Sequence, residues 1–219
     1  MLTSPISSFF CPTRIHLGIG AHTQLASVLQ GYDCQRLFIA LDRALQGGDF
    51  YQRIEAIWAE QNMATAVVTD MEADPSDTTV ERAFAVCRAH NATAILAVGG
   101  GSTMDVAKAV GMLATNGGRI DDSEGSEKSG KPRVPLIAIP TTAGTGSEVS
   151  GSCVISDTTR HLKMSIRHAA LNPAAVAILD PLALVTMPGH VAAPSGLDAF
   201  VHAFAAYISR QSNLVSDAL

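Results

Sequence analysis

The segment AILAVGGGSTMDVAK, residues 94–108, joins a short apolar run to three consecutive glycines and then to a helical pattern. A buried strand that ends in glycines leaves backbone N–H groups pointing outward with no Cβ in the way. That geometry suits a phosphate or pyrophosphate group, above all where a helix begins directly after the glycines. The segment therefore predicts a strand, an anion-binding turn and a helix.

A second segment has the same design. The apolar run at residues 136–139 leads into PTTAGTGSE, residues 140–148. Thr141, Thr142, Thr145 and Ser147 supply hydroxyl groups that can donate hydrogen bonds to phosphate and ribose oxygens. Two such turns in one chain predict a dinucleotide held between two strand ends.

Strand-like and helix-like segments alternate through the first half of the chain, which predicts βαβ units and an α/β fold with a parallel sheet covered by helices. The predicted pairs of strand and helix are residues 37–41 and 49–62, 64–68 and 78–90, and 94–98 and 102–114. The helix after the glycines also fits a capping box of Ser102 and Asp105.

The second half of the chain changes character. Polar residues 116–131 predict an exposed loop, and residues 153–156 and 162–166 predict a hairpin that lays Lys163 back over the second turn. The pattern changes near Asp180 and Pro181, because Pro188, Gly189 and Pro194 predict breaks in the chain and a helix is predicted from Ser195. We therefore expect a dinucleotide-binding domain at residues 1–183 and the start of a helical domain at residues 184–219, in a chain that is a fragment of something longer.

Composition narrows the functional classes. The formal net charge of −5 gives no basic surface for nucleic acid or anionic lipid. The four cysteines are widely separated and predict reduced thiols in a cytoplasmic protein. Residues 1–12 lack the pattern of a signal peptide, and no apolar stretch is long enough to span a bilayer.

Structural alternatives exist for each of these features. The glycine triplet is neither a G-x-G-x-x-G fingerprint nor a Walker A loop, so a tight packing turn would also explain it. Thr145 and Glu148 fit a local capping box. Asp42, directly after a strand, would accept hydrogen bonds from ribose hydroxyls and repel a 2′-phosphate, which favours NAD over NADP, but it also fits an ordinary surface turn.

A candidate metal pair lies near the end of the chain. Asp198 and His202 are four residues apart and share one face of the predicted helix. Carboxylate oxygen and imidazole nitrogen suit Fe²⁺ or Zn²⁺, although an open catalytic site normally has three protein ligands. The alternative is that Ser195 caps the helix with Asp198 as its partner, which needs no metal.

Together these motifs resemble the iron-containing (group III) alcohol dehydrogenase family, and they occur in the family's order along the whole chain. The matching pieces are Gly99 to Ser102 with Asp105 and Lys108, Pro140 to Glu148, Lys163, Asp180-Pro181, and the segment GLDAFVHA, residues 196–203. The resemblance implies a Rossmann-like NAD-binding domain followed by a helical, metal-binding domain. It implies a cofactor site that consists of Asp42, Asp74, Gly100, Gly101, Ser102, Asp105, Thr141, Thr142, Thr145, Ser152 and Lys163. It also implies that Asp198 and His202 are two of four ligands of a divalent metal, Fe²⁺ before Zn²⁺.

The chain departs from the family pattern in three places. Two further histidine ligands are absent because the sequence ends first. Asp74 and Ser152 stand where many members carry asparagine, and Ala205 stands at a position that is commonly glutamate.

The implied activity is reversible hydride transfer between a primary alcohol or aldehyde and NAD(H), in a protein that could form homo-oligomers. Two alternatives remain open at this point. One is a polyol or glycerol dehydrogenase, or a dehydroquinate-synthase-like enzyme, of the same fold. The other is a catalytically inactive dinucleotide-binding module, which the incomplete metal site favours.

Overall fold

The computed structural model describes residues 6, 8–128 and 130–219 and confirms the α/β fold. The strands are β1 (Arg14–Leu17), β2 (Arg36–Leu41), β3 (Ala64–Val68), β4 (Ala94–Gly99), β5 (Gly125–Ser126), β6 (Leu136–Pro140), β7 (Ser152–Asp157), β8 (Leu162–Arg167) and β9 (Val176–Leu179). The α-helices are α1 (Leu25–Gly31), α2 (Asp49–Glu60), α3 (Asp77–Ala89), α4 (Gly101–Asn116) and α5 (Gly189–Ile208).

Six strands form a sheet in the order β1-β9-β6-β4-β2-β3, and every neighbouring pair in it is parallel. Its central strands are apolar on both faces because helices cover both. Alternate residues of β2 divide between two cores: Phe38 packs with α3 and α4, and Leu37 and Ile39 pack with α1 and α2. The sheet thus forms the middle of three layers.

The carboxyl ends of β2, β4 and β6 meet at one edge of the sheet. Leu41 is paired with Val98, and Gly99 with Pro140, so the residues that follow these strands start side by side. The connection after β2 runs to one side of the sheet and the connection after β4 to the other. Ligands of open α/β sheets bind at such a switch point, outside the carboxyl ends of the strands.

The predicted hairpin is confirmed. β7 and β8 are antiparallel, and Ser156 lies opposite Lys163. The predicted loop at residues 116–131 contains short ordered elements: a 3-10 turn, Ile120–Ser123, and strand β5, which pairs with β8. Buried Ile120 joins the core and anchors this segment. Within it, Ser129 lies outside the described residues, as do residues 1–5 and 7 of the segment predicted to lack a signal peptide.

The predicted capping box of Ser102 and Asp105 is wrong, and so are the two alternatives that invoked local caps, Thr145 with Glu148 and Ser195 with Asp198. Helix α4 begins at Gly101 with Gly100 as its cap, so Ser102 lies inside the first turn and donates a hydrogen bond to the carbonyl of Ala73. Residues 141–150 form turns rather than a helix, and Thr145 Oγ1 accepts from the N–H of Ser147 at 3.2 Å.

Helix α5 begins six residues before Ser195 and continues through Pro194. A proline inside a helix removes one backbone hydrogen bond, and the sequence pattern treated it as a break. No residue of α5 is buried. By length and composition α5 could cross a membrane, which corrects the prediction that no apolar stretch is long enough. Asp198 in its middle opposes such a span, since a carboxylate at the bilayer centre costs about 2.5–3.5 kcal/mol.

Candidate cofactor and metal site

Two adjoining clefts open at the carboxyl edge of the sheet, below α5. Their volumes are about 620 and 660 Å³. Both are lined by Ala73, Gly101, Ser102, Thr145 and Asp198. The first cleft extends towards Asp42, Thr142 and His190, and the second towards Asp74, Ser152, Lys163 and His202. The clefts therefore meet where α4 begins.

The glycines at this point allow the two turns to touch. A Cβ on Gly101 would lie 2.8 Å from Thr145 Cγ2, and a Cβ on Gly100 would lie 3.2 Å from Thr142 Cγ2. The N–H groups of the first turn of α4 have no acceptor within the helix, and the helix dipole adds positive potential there. The residues present therefore fit an anionic group such as pyrophosphate at the start of α4.

The segment between β3 and α3 forms a further wall of the clefts, beside the start of α4 and the turn that follows β6. Ser102 Oγ donates to the carbonyl of Ala73, which ties this segment to the start of α4. Glu72 accepts from the N–H of Ser76 at 2.8 Å and from Thr79 Oγ1 at 2.7 Å. The hydrogen bonds from Ser76 and Thr79 lower the pKa of Glu72. Because the Ser102 hydroxyl already donates its proton, an anion here would be bound through backbone N–H groups.

Asp42 lies at the end of β2 and faces the first cleft. Its Oδ1 accepts from the N–H of Ala44 at 3.0 Å and so caps a 3-10 turn, Arg43–Leu45. A carboxylate has two oxygens, so this capping role leaves capacity for a ligand hydroxyl.

Lys163 and Asp74 face each other across the second cleft. Lys163 Nζ donates to Asp74 Oδ1 at 2.7 Å, and the two side chains are 60% and 73% exposed. An ion pair so exposed contributes little to stability. Its position at the rim, however, places one cation and one anion beside the start of α4.

Two of the predicted cofactor residues have other contacts. Thr141 is buried and lines neither cleft, and its N–H donates to the carbonyl of Gly99 at 3.0 Å. Asp105 lines the second cleft but accepts from Ser147 Oγ at 2.8 Å and from the N–H of Val154 at 2.9 Å. Both residues hold the walls of the cleft together.

The candidate metal pair faces the clefts from α5. Asp198 Oδ1 and His202 Nε2 are 3.6 Å apart, and the side chains are 42% and 59% exposed. Within the described ranges, no group of three His, Cys, Asp or Glu side chains could hold a metal ion. The pair therefore offers two donors suited to Fe²⁺ or Zn²⁺, which is half of a four-ligand site.

The sequence analysis missed several residues that line the first cleft: Met71, Glu72, Ala73, His190, Val191 and Pro194. The first three come shortly after the end of β3. The rule that ligands bind beyond the carboxyl ends of parallel strands, which selected Asp42, would have found them. The last three depend on where α5 begins, and the break expected at Pro194 hid them.

Comparison with known proteins agrees with this geometry. The model of the family described as iron-containing alcohol dehydrogenase matches residues 12–181. The chain belongs to the iron-containing alcohol dehydrogenase family. It is 35% identical over 213 residues to the NAD-dependent methanol dehydrogenase of Bacillus methanolicus, an alignment that covers 97% of this chain and 56% of that relative.

Solved structures of similar proteins have the same fold. A crystal structure of 1,3-propanediol oxidoreductase matches with a TM-score of 0.93 and 31% identity, covering 97% of this chain and 56% of that one. Sulfoacetaldehyde reductase from Bifidobacterium kashiwanohense, solved in complex with NAD⁺, matches with a TM-score of 0.87 and 26% identity, covering 98% of this chain and 57% of that one. The chain spans about half the length of the curated relatives it matches.

Proposed function

We propose that this chain provides the cofactor-binding part of a metal-dependent alcohol dehydrogenase, which transfers a hydride between a primary alcohol or aldehyde and NAD(H). The observation that carries the proposal is the meeting of three loops at the first turn of α4. They are the glycine turn that follows β4, the threonine-rich turn at residues 141–146, and the segment between β3 and α3. There, glycines at 100 and 101 admit the threonine-rich turn, and Ser102 fixes the segment at Ala73.

The cofactor we propose is NAD. Its pyrophosphate would be bound at the backbone N–H groups of Gly101 and Ser102, with Thr142 and Thr145 beside it. Asp42 would accept from the ribose hydroxyls on the adenosine side and disfavour the 2′-phosphate of NADP. Lys163, Asp74 and Ser152 would line the other half of the cofactor site in the second cleft.

Asp198 and His202 would provide two ligands to a divalent metal, Fe²⁺ before Zn²⁺. When bound, such a metal supplies Lewis-acid chemistry at the alcohol or aldehyde oxygen. Both side chains face the cleft that we assign to the cofactor. An alcohol bound at this helix would therefore lie beside the dinucleotide, which is the proximity that hydride transfer needs.

The similarity to an NAD-dependent methanol dehydrogenase favours alcohol dehydrogenase over the related polyol dehydrogenase and dehydroquinate-synthase-like activities. A second candidate function is supported by one observation, the lack of a third metal ligand among residues 6, 8–128 and 130–219. On that basis, the 219-residue chain by itself would be a dinucleotide-binding module without turnover. A cytoplasmic location, a small alcohol or aldehyde substrate and a homo-oligomeric state remain proposals.

The test is an assay of NAD⁺ reduction by the 219-residue chain with methanol, ethanol and 1,3-propanediol, with and without Fe²⁺ or Zn²⁺. NADH binding is measured in parallel. We expect binding with little or no turnover, because the part of the chain that the structure describes offers only two ligands for one metal ion. Metal-dependent turnover would instead show that the chain is a complete catalyst, and a folded chain that does neither would contradict the proposal.

A further inference from the structure

Lys108 is a fully buried lysine in the middle of α4, where core side chains would be expected. Its relative exposure is 0%, and it is among the largest fully buried side chains described. Burial of an ammonium group is costly unless hydrogen bonds and an opposite charge compensate it. A buried lysine therefore requires partners, and its partners indicate what it does.

All three N–H donors of the Lys108 ammonium have an acceptor. Nζ donates to Ser147 Oγ at 2.9 Å, to the carbonyl of Ser150 at 3.1 Å and to the carbonyl of Ser152 at 2.7 Å. These acceptors all belong to residues 147–152, the segment that joins the threonine-rich turn to β7. Lys108 thus binds this segment at three points within six residues.

Asp105, one turn earlier in α4, contacts this segment at Ser147 and the following strand β7 at Val154. Its two oxygens accept from Ser147 Oγ and from the N–H of Val154. Asp105 Oδ1 lies 3.9 Å from Lys108 Nζ, so the pair also compensates the buried charge. Ser147, with 4% exposure, bridges the two side chains.

This network joins two walls of the second cleft. Gly101 and Ser102 lie at the start of α4, and Ser147, Ser150 and Ser152 form the opposite wall. We propose that Lys108 is a positioning residue for dinucleotide binding, because it fixes residues 147–152 at the distance from the start of α4 that the cofactor requires. This inference rests on the proposed function of the cleft.

The charge state of Lys108 gives the inference a pH signature. Burial lowers the pKa of Lys108 to about 8, and Asp105 opposes that shift. The other charged or titratable groups that face it are Glu148, Cys153 and Arg133. Burial raises the pKa of Cys153 to about 12 and lowers the pKa of Arg133 to about 10. Neither of these two titrates strongly between pH 7 and 9. Loss of the Lys108 proton in that range removes one donor and the charge that holds the segment.

The test measures NADH binding by fluorescence for the wild-type chain and Lys108→Met, at a temperature where circular dichroism shows both folded. We expect the Kd of Lys108→Met to rise about tenfold or more, which is about 1.4 kcal/mol of binding free energy. We also expect the wild-type Kd to rise severalfold from pH 7 to 9 and the Kd of Lys108→Met to stay flat.

Two further variants separate positioning from general stability. Val110→Ala truncates a fully buried side chain of the same helix and should lower the unfolding temperature with an unchanged Kd. If Lys108→Met does not fold, Ser147→Ala removes the bridging hydroxyl alone and should raise the Kd severalfold. An unchanged Kd and pH profile in Lys108→Met, or an unchanged Kd in Ser147→Ala where that variant replaces it, would overturn the inference. A folded wild-type chain that does not bind NADH would overturn the proposed function itself.

Discussion

Asp42 combines two roles in one side chain. One oxygen caps the turn that follows β2, and the residue faces the first cleft. A place in an ordinary surface turn was one of the two alternatives that the sequence left open, and the cap of this turn leaves one carboxylate oxygen for a ligand. Replacement by alanine would remove both, so the informative substitution is one that keeps the cap.

Asp42→Asn retains an oxygen that accepts from Ala44 and removes the negative charge. We expect the preference for NADH over NADPH, measured by fluorescence titration of both, to fall about tenfold. The reason is that the repulsion between a carboxylate and the 2′-phosphate near contact is of order 1.4 kcal/mol. Asp49→Asn, a charge removed in the first turn of α2, is the matched control and should leave the ratio unchanged. A constant ratio in Asp42→Asn would mean that Asp42 is only a cap.

Cys153 is a buried thiol whose pKa burial raises to about 12. Between the usual thiol pKa near 9 and this value, the folded state holds a proton that the unfolded state has lost, so stability falls as pH rises. From pH 8 to 10, Cys153 should account for a loss of about 1.4 kcal/mol in the free energy of unfolding. Urea unfolding of Cys153→Ala should show a pH dependence that is shallower by this amount, whereas exposed Cys11→Ala should keep the wild-type slope.

At the scale of elements, apolar periodicity was sufficient to predict strands β2, β3 and β4, helices α2, α3 and α4, and the hairpin to within about two residues. It failed to identify the cap of α4, because the two polar side chains that were expected to form a local capping box reach distant partners. Ser102 contacts Ala73, and Asp105 contacts Ser147 and Val154, which are 29, 42 and 49 residues away. Sequence spacing cannot show contacts of that range. Most of the residues predicted to bind the cofactor nevertheless line the two clefts, because strand ends of a parallel sheet converge, and their contact with a cofactor stays a prediction.

The contact between α4 and the threonine-rich turn can be tested with one methyl group. In Gly101→Ala the new Cβ would approach Thr145 Cγ2 to 2.8 Å and force the turn away, so we expect the Kd for NADH to rise about tenfold or more. Adding Thr145→Ser removes Cγ2 and should recover part of the affinity. In Gly31→Ala the added Cβ meets nothing within 4 Å, and binding should be unchanged. Unaltered binding in Gly101→Ala would contradict the close contact.

At the scale of the whole molecule, the α/β layers bury their apolar side chains in two cores, whereas α5 buries none of its residues. The two cores lie on either face of the six-stranded sheet, whereas α5 exposes apolar side chains along its length, including Leu197, Phe200 and Phe204. An apolar helix face needs a partner to bury it. The sequence predicted this contrast at residue 183, and that boundary stays a prediction.

Phe200 and Phe204 stack at 6.1 Å on this exposed helix. The double substitution Phe200→Ser and Phe204→Ser should reduce the binding of a hydrophobic dye and leave the unfolding midpoint of the α/β layers within error. Phe38→Ala, in the core at 0% exposure, should instead cost about 3–5 kcal/mol of stability. Equal destabilisation by both would show that α5 packs against the α/β layers more closely than described.

The most direct measurement is calorimetric titration of the 219-residue chain with NAD⁺, with circular dichroism to show that it is folded. The central claim, that three loops at the start of α4 form a dinucleotide site, predicts saturable binding of one NAD⁺ per chain, weaker binding of NADP⁺, and weakening in Gly101→Ala. A folded chain that releases no heat and shows no NAD⁺ binding by equilibrium dialysis would contradict that claim.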